Sequence, residues 1–146
     1  MKFRFVWVGK TKDANWRALQ EEYCQRLAHF VKFDITEIKD GPKESESKRI
    51  LENLNQSAFV CLLDVKGRVL TSPDLAKEIE KWQNRGTKEI TFVIGGADGV
   101  ASEVVETADF SLSLSFLTFT HDMARVVLLE QLYRAFTIIK GFPYQK

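Results

Sequence analysis

The chain has 146 residues, 45% of them apolar and 28% charged, with a net charge of +1. That length supports one domain, here expected to be residues 1–146, with a proper core but not two. The mixed composition excludes a low-complexity or disordered chain, while the near-neutral charge argues neither for nor against nucleic acid, because a local patch can carry phosphate contacts. No apolar run reaches membrane-spanning length and the opening residues carry no cleavable signal pattern, so a cytoplasmic protein without membrane contact is expected. Cys24 and Cys61 lack metal spacing and read as reduced core thiols, and His29 and His121 form no ligand pair, so no metal is expected.

Lys2 to Val8 alternates as a first strand, and Gly9 to Asp13 is a polar loop. Trp16, Leu19, Tyr23, Leu27 and Phe30 then recur at helical spacing, and Lys32 to Ile38 alternates as a second strand. Gly41 to Ser47 is charged and turn-rich, which predicts a mobile connection into a short helix through Ile50, Leu51 and Leu54. Ala58 to Asp64 is a continuous apolar run, the pattern of a strand covered on both faces. Ser72-Pro73-Asp74 combines a hydroxyl cap, a first-turn proline and an acid, so a helix starts there and runs through Leu75, Ile79 and Trp82 to about Gly86. Ile90 to Ile94 is a fourth strand, Ala101 to Ala108 a short helix, and Ser111 to Ser115 a fifth strand. Asp122 can cap the last helix, which runs to about Lys140.

Strands alternating with helices predict an α/β fold: a mostly parallel sheet of five to six strands with helices on both faces. The last helix, from Met123 through Ile139, is apolar almost all round and needs cover on more than one side. A second copy of the chain is the expected cover, as a homodimer through this helix, with burial inside one chain as the competing reading.

Two loops follow strands in this scheme: Gly95-Gly96-Ala97-Asp98-Gly99, and Leu114 to His121. Loops at the carboxyl ends of parallel strands hold ligands in open α/β sheets. A dinucleotide fingerprint is absent, because the glycines follow the fourth strand and no acid ends the next one. A phosphate-cradling loop is absent too, since no Gly-Lys-Ser/Thr follows. Gly95-Gly96-x-x-Gly99 alone suits a tight turn as well as a site.

In combination the motifs say more. Val93 to Gly99, Ser111 to Ser115, Leu117 to His121, Arg125 to Phe136 and the closing Pro143-Tyr144-Gln145-Lys146, with Val8-Gly9-Lys10 and Leu63-Asp64-x-x-Gly67, resemble the RlmH (YbeA) family. These are small SPOUT-class methyltransferases of bacterial ribosomal RNA. The resemblance implies methyl transfer from S-adenosylmethionine to N3 of a pseudouridine in large-subunit (23S) ribosomal RNA on the assembled ribosome, by a homodimer with a carboxyl-terminal trefoil knot. Its methyl-donor pocket falls on Leu63, Gly95, Gly96, Leu114, Ser115, Phe116, Leu117, Thr118 and Phe119. The residues agree with that role, with leucines and Phe119 as apolar walls for an adenine and glycines admitting close main-chain approach; each leucine taken singly is equally an ordinary core residue.

His121 follows the donor loop, and an imidazole can exchange a proton or hydrogen-bond a substrate near neutral pH. Arg125, one turn on, is compatible with holding a phosphate, stabilising an anion, or an interface salt bridge. Tyr144 is expected to stack on the target base and Lys146 to contact a phosphate, against the plainer reading of a frayed terminus. The sequence departs from the family at two positions. Gln145 stands where a tail histidine is usual, and an amide cannot serve as a proton acceptor there near neutral pH; Thr120 stands where proline often precedes His121, which predicts a less rigid loop. A non-catalytic RNA- or ribosome-binding dimer that keeps the fold is the alternative function, and an unrelated nucleotide-binding enzyme is a third.

Overall fold

The computed structural model describes residues 1–144. Five strands, β1 (Lys2–Val8), β2 (Lys32–Ile38), β3 (Phe59–Val69), β4 (Glu89–Ile94) and β5 (Phe110–Ser113), alternate with five helices, α1 (Ala14–Leu27), α2 (Lys43–Glu52), α3 (Ser72–Asn84), α4 (Ser102–Thr107) and α5 (His121–Lys140). Every strand pair is parallel, and the sheet order is β2-β1-β4-β3-β5.

The period-two rule sorts β1 into two layers. Phe3, Phe5 and Trp7 enter the core shared with α1, α3 and α5, whereas Val6 and Val8 enter a smaller core with Ile50 of α2 and Val104 of α4. Aromatic rings bind the central strands together: Phe5 stacks on Phe92 of β4 at 5.5 Å, and Phe3 meets the same ring edge-on at 5.0 Å. Such pairs add about 0.5–1.5 kcal/mol to simple burial. Helices therefore cover both faces, three on one side and two on the other.

Helix α5 packs against the sheet, α1 and α3, burying Arg125, Val126, Leu128, Leu129, Leu132, Ala135, Phe136 and Thr137. One chain thus covers much of the apolar surface that suggested a subunit contact. Val127, Tyr133, Ile138 and Ile139 remain half-buried.

Several local expectations shift. Helix α2 begins at Lys43, inside the segment expected to be mobile. Two polar side chains are buried there because each has a main-chain partner: Glu46 accepts from the Gly41 N–H at 3.0 Å, and Ser47 accepts from the Ala101 N–H at 2.8 Å. Thr71 rather than Ser72 caps α3, accepting from the Asp74 N–H at 3.1 Å, while the Ser72 hydroxyl bonds Gln131 of α5 at 2.6 Å. Thr120 rather than Asp122 caps α5, accepting from the Met123 N–H at 3.3 Å. The residue expected to loosen this loop instead closes the first turn of the helix.

Strand β3 runs five residues past Asp64. Leu63 pairs with Leu112 of β5, the chain then bulges, and Arg68 returns to pair with Leu112 again. Gly67 makes this possible. A Cβ on it would lie 2.6 Å from the Ser111 carbonyl oxygen, 2.7 Å from the Ser111 carbonyl carbon and 2.9 Å from that of Leu112, so only glycine lets the two backbones cross so closely.

Candidate functional site

Parallel strands bring all their carboxyl ends to one edge of the sheet. There the ends of β3, β4 and β5 and the start of α5 frame an open cleft of about 550 Å³. It is lined by Leu63, by Ile94 through Val100 on the β4–α4 loop, by Leu112 through Ser115 with Leu117, Thr118 and Phe119, and by His121. Of the nine residues expected to hold a donor, Phe116 alone lies off the lining; its ring is 85% exposed.

Local hydrogen bonds shape the two loops. Ser113 donates to the Ser115 carbonyl at 2.8 Å, and the Leu117 N–H reaches the Ser115 hydroxyl at 3.0 Å. In the β4–α4 loop the Gly99 N–H donates to the Gly96 carbonyl at 3.0 Å. A Cβ on Gly95 would lie 2.6 Å from Val100 Cγ1, and one on Gly96 would run into the Glu46 carboxylate. The glycines therefore let the loop fold back on its own neighbours, leaving main-chain edges at the cleft.

The cleft also contains charged residues that sequence reasoning did not select: Asp64, Lys66 and Asp98. Asp64 accepts from the Lys66 N–H at 3.0 Å, a local Asx turn. An aspartate two residues before another polar group at the end of an apolar strand was the available signal.

His121, Arg125 and Tyr144 do not come together within the chain. His121, the first residue of α5, lines the cleft. Arg125 is 1% exposed and points away from solvent, towards the end of β1. Its guanidinium donates to the Val8 carbonyl and, at 2.9 Å, to the Thr11 hydroxyl, lies 5.1 Å over the Trp7 ring, and stands 3.7 Å from Asp122. Burial pushes its pKa down from the ordinary arginine value, while Asp122 and Glu37 counter that shift.

Tyr144 donates to Glu130 at 2.9 Å and packs edge-on against Tyr133 at 4.7 Å. Burial, then hydrogen bonding with Tyr23 and Glu130, raises its phenol above the usual value. Glu130 is nine residues beyond His121 on α5, about 14 Å along the helix. Gln145 and Lys146 lie outside the described residues. Among those described, no cluster of three or more His, Cys, Asp or Glu side chains offers a metal site, and no helix is long and apolar enough to cross a membrane.

A pocket lined by apolar side chains and loop main chain, at the carboxyl edge of a parallel sheet, is the kind of site that takes a nucleoside-type ligand. A family model described as "Predicted SPOUT methyltransferase" matches residues 1–145. Proteins named ribosomal RNA large subunit methyltransferase H are 43% identical in Halothermothrix orenii and 40% identical in Desulfotalea psychrophila, each alignment covering the whole of both chains. The tRNA (m1G37) methyltransferase structure from Aquifex aeolicus shares the fold, with a TM-score of 0.57 at 16% identity over 92% of this chain and 70% of that one. The chain belongs to the SPOUT methyltransferases, within the family of these large-subunit enzymes.

Proposed function

We propose that the protein methylates N3 of a pseudouridine in large-subunit ribosomal RNA, using S-adenosylmethionine, as a cytoplasmic homodimer acting on the assembled ribosome. The observation that carries the reading is the cleft itself: the segments resembling the family's donor pocket converge there, with His121 on its wall. The residues fit such a donor. Leu63, Leu114, Leu117 and Phe119 offer apolar walls for an adenine, the Gly95–Gly99 and Ser113–Thr118 main chains offer hydrogen-bonding edges, and Asp64, Asp98 and Lys66 suit a charged amino-acid group. When bound, the donor supplies an electrophilic sulfonium methyl.

The chain's own residues would do the rest. Loop main chain fixes the donor without competing side chains. His121 sits where it can accept a hydrogen bond, or the proton lost from a ring N–H. Arg125 acts on this arrangement from behind, fixing the first turn of α5 against β1. Half-buried Val127, Tyr133, Ile138 and Ile139 support a subunit contact along α5.

Calorimetric titration with S-adenosylmethionine should give one site per chain. Mass spectrometry of ribosomal RNA from cells lacking the protein should show one pseudouridine without its methyl, restored with the gene. Unchanged methylation at every pseudouridine would sink the reading. Donor binding with no lost methyl would favour the RNA-binding dimer instead.

A further inference from the structure

We propose that the loop between β1 and α1, residues 9–13, is an RNA-phosphate grip that presents Lys10 and Lys12 beside the cleft. The inference rests on the RNA substrate proposed above. Lys10 and Lys12 are exposed and take part in no ion pair among the described residues, whereas Thr11 between them is buried, with 6% exposure. The alternation anchors the middle residue and leaves both cations outside.

Hydrogen bonds hold this loop far more firmly than an idle connection requires. The Gly9 N–H donates to the Ile38 carbonyl at 2.7 Å. Arg17 reaches back from α1 to the carbonyls of Thr11 at 3.3 Å and Lys12 at 2.8 Å. The Thr11 hydroxyl bonds Gln20 at 2.8 Å and accepts from Arg125 at 2.9 Å. The neighbouring acid is already engaged, since Asp13 caps α1 by accepting from the Asn15 and Trp16 N–H groups.

Arg125 connects the loop to the cleft. It stands one helical turn from His121, about 6 Å along α5, and joins that turn to Thr11 through its buried guanidinium. The loop bearing the two exposed lysines is thereby tied to the first turn of α5, whose His121 lines the cleft, and it follows β1 at the same carboxyl edge of the sheet. Lysines so placed suit the phosphates flanking the target base, contacts that add affinity and register but carry no sequence information.

The test is K10A/K12A against the charge-matched control K32A/K88A, whose lysines lie beside the starts of β2 and β4 at the opposite edge of the sheet. Methylation of ribosomes isolated from cells lacking the protein is measured from 0.05 to about 0.3 M salt, with donor affinity read separately by calorimetry. Each phosphate contact on single-stranded RNA contributes about 0.7 to the salt exponent. The loop variant should therefore raise KM about tenfold near 0.15 M salt and flatten the log–log salt slope by about 1.4. Donor affinity should be unchanged in both variants, and the control should match the parent. A parental KM and salt slope in K10A/K12A would overturn the proposal, as would an equal loss in the control. If the parent itself methylated no ribosomal RNA, the underlying reading would fail instead.

Discussion

Gly67→Ala places a methyl group where β3 crosses β5. The new carbon would lie 2.6, 2.7 and 2.9 Å from three main-chain atoms of Ser111 and Leu112. Comfortable non-bonded separations are about 3.5–4.0 Å, so the two backbones must part by about 1 Å. No side chain can rotate away to relieve this. Parting them also strains the pairings of Arg68 with Leu112 and Val69 with Ser113. Overpacking costs about 1–3 kcal/mol, and rigid main-chain neighbours put this case near the top of that range. At about 2–4 °C per kcal/mol for a chain of this length, the melting midpoint should fall by about 6–12 °C. Thermal unfolding followed by circular dichroism at one fixed protein concentration reads it, and calorimetry should show weaker donor binding, because Leu63 through Lys66 form one wall of the cleft. A midpoint within 2 °C of the parent, with donor affinity intact, would refute the reasoning.

Arg125→Ala should lower stability by about 2–3 kcal/mol in urea unfolding, since it leaves the Val8 carbonyl and the Thr11 hydroxyl without their shared donor. Arg125→Lys should recover little of that loss, because one ammonium cannot reproduce the guanidinium fork. Thr120→Ala should cost about 1 kcal/mol through the lost cap of α5, and Asp122→Ala less; the reverse order would show that Asp122 is the true cap. Burial, helped by Glu21, pushes the Cys24 thiol up to about 11, and burial alone raises Cys61 further. At pH 8 the native protein should therefore alkylate at Cys24 about a hundredfold more slowly than the unfolded chain. Mass spectrometry after timed iodoacetamide exposure checks this, and equal rates would contradict it.

Patterned residues made the framework legible. β1 and β2 begin and end where alternation predicts, because nothing competes with the period-two signal there. The misread elements depend on partners distant in sequence. Glu46 and Ser47 look like a solvated turn until Gly41 and Ala101 supply their hydrogen bonds. The caps moved by one or two residues because Ser72 found Gln131 and Asp122 faces Arg125. The exposed end of β3 carries no apolar rhythm, although a lone glycine inside a strand is itself a signal of close backbone approach.

At the site, the resemblance pointed to loops that line one cleft, and geometry set Arg125 and Tyr144 apart from it. Neither Arg125 nor Tyr144 could be distinguished from a cleft residue by spacing, since only the fold reveals which way each side chain turns. Arg125 faces Val8, and Tyr144 faces Glu130.

The strand order β2-β1-β4-β3-β5 also dictates a timetable. As the chain emerges from its amino terminus, β1 can pair at once with β2, but its other edge stays bare until β4 has been made. β3 is made earlier yet has no neighbour until β4 and β5 arrive. Long-range parallel pairings of this kind form slowly and expose open edges meanwhile. The cleft needs the ends of β3, β4 and β5 and the first turn of α5, so it is assembled last. A newborn molecule can thus be largely structured while its cleft is still unformed, waiting on β5 and the first turn of α5.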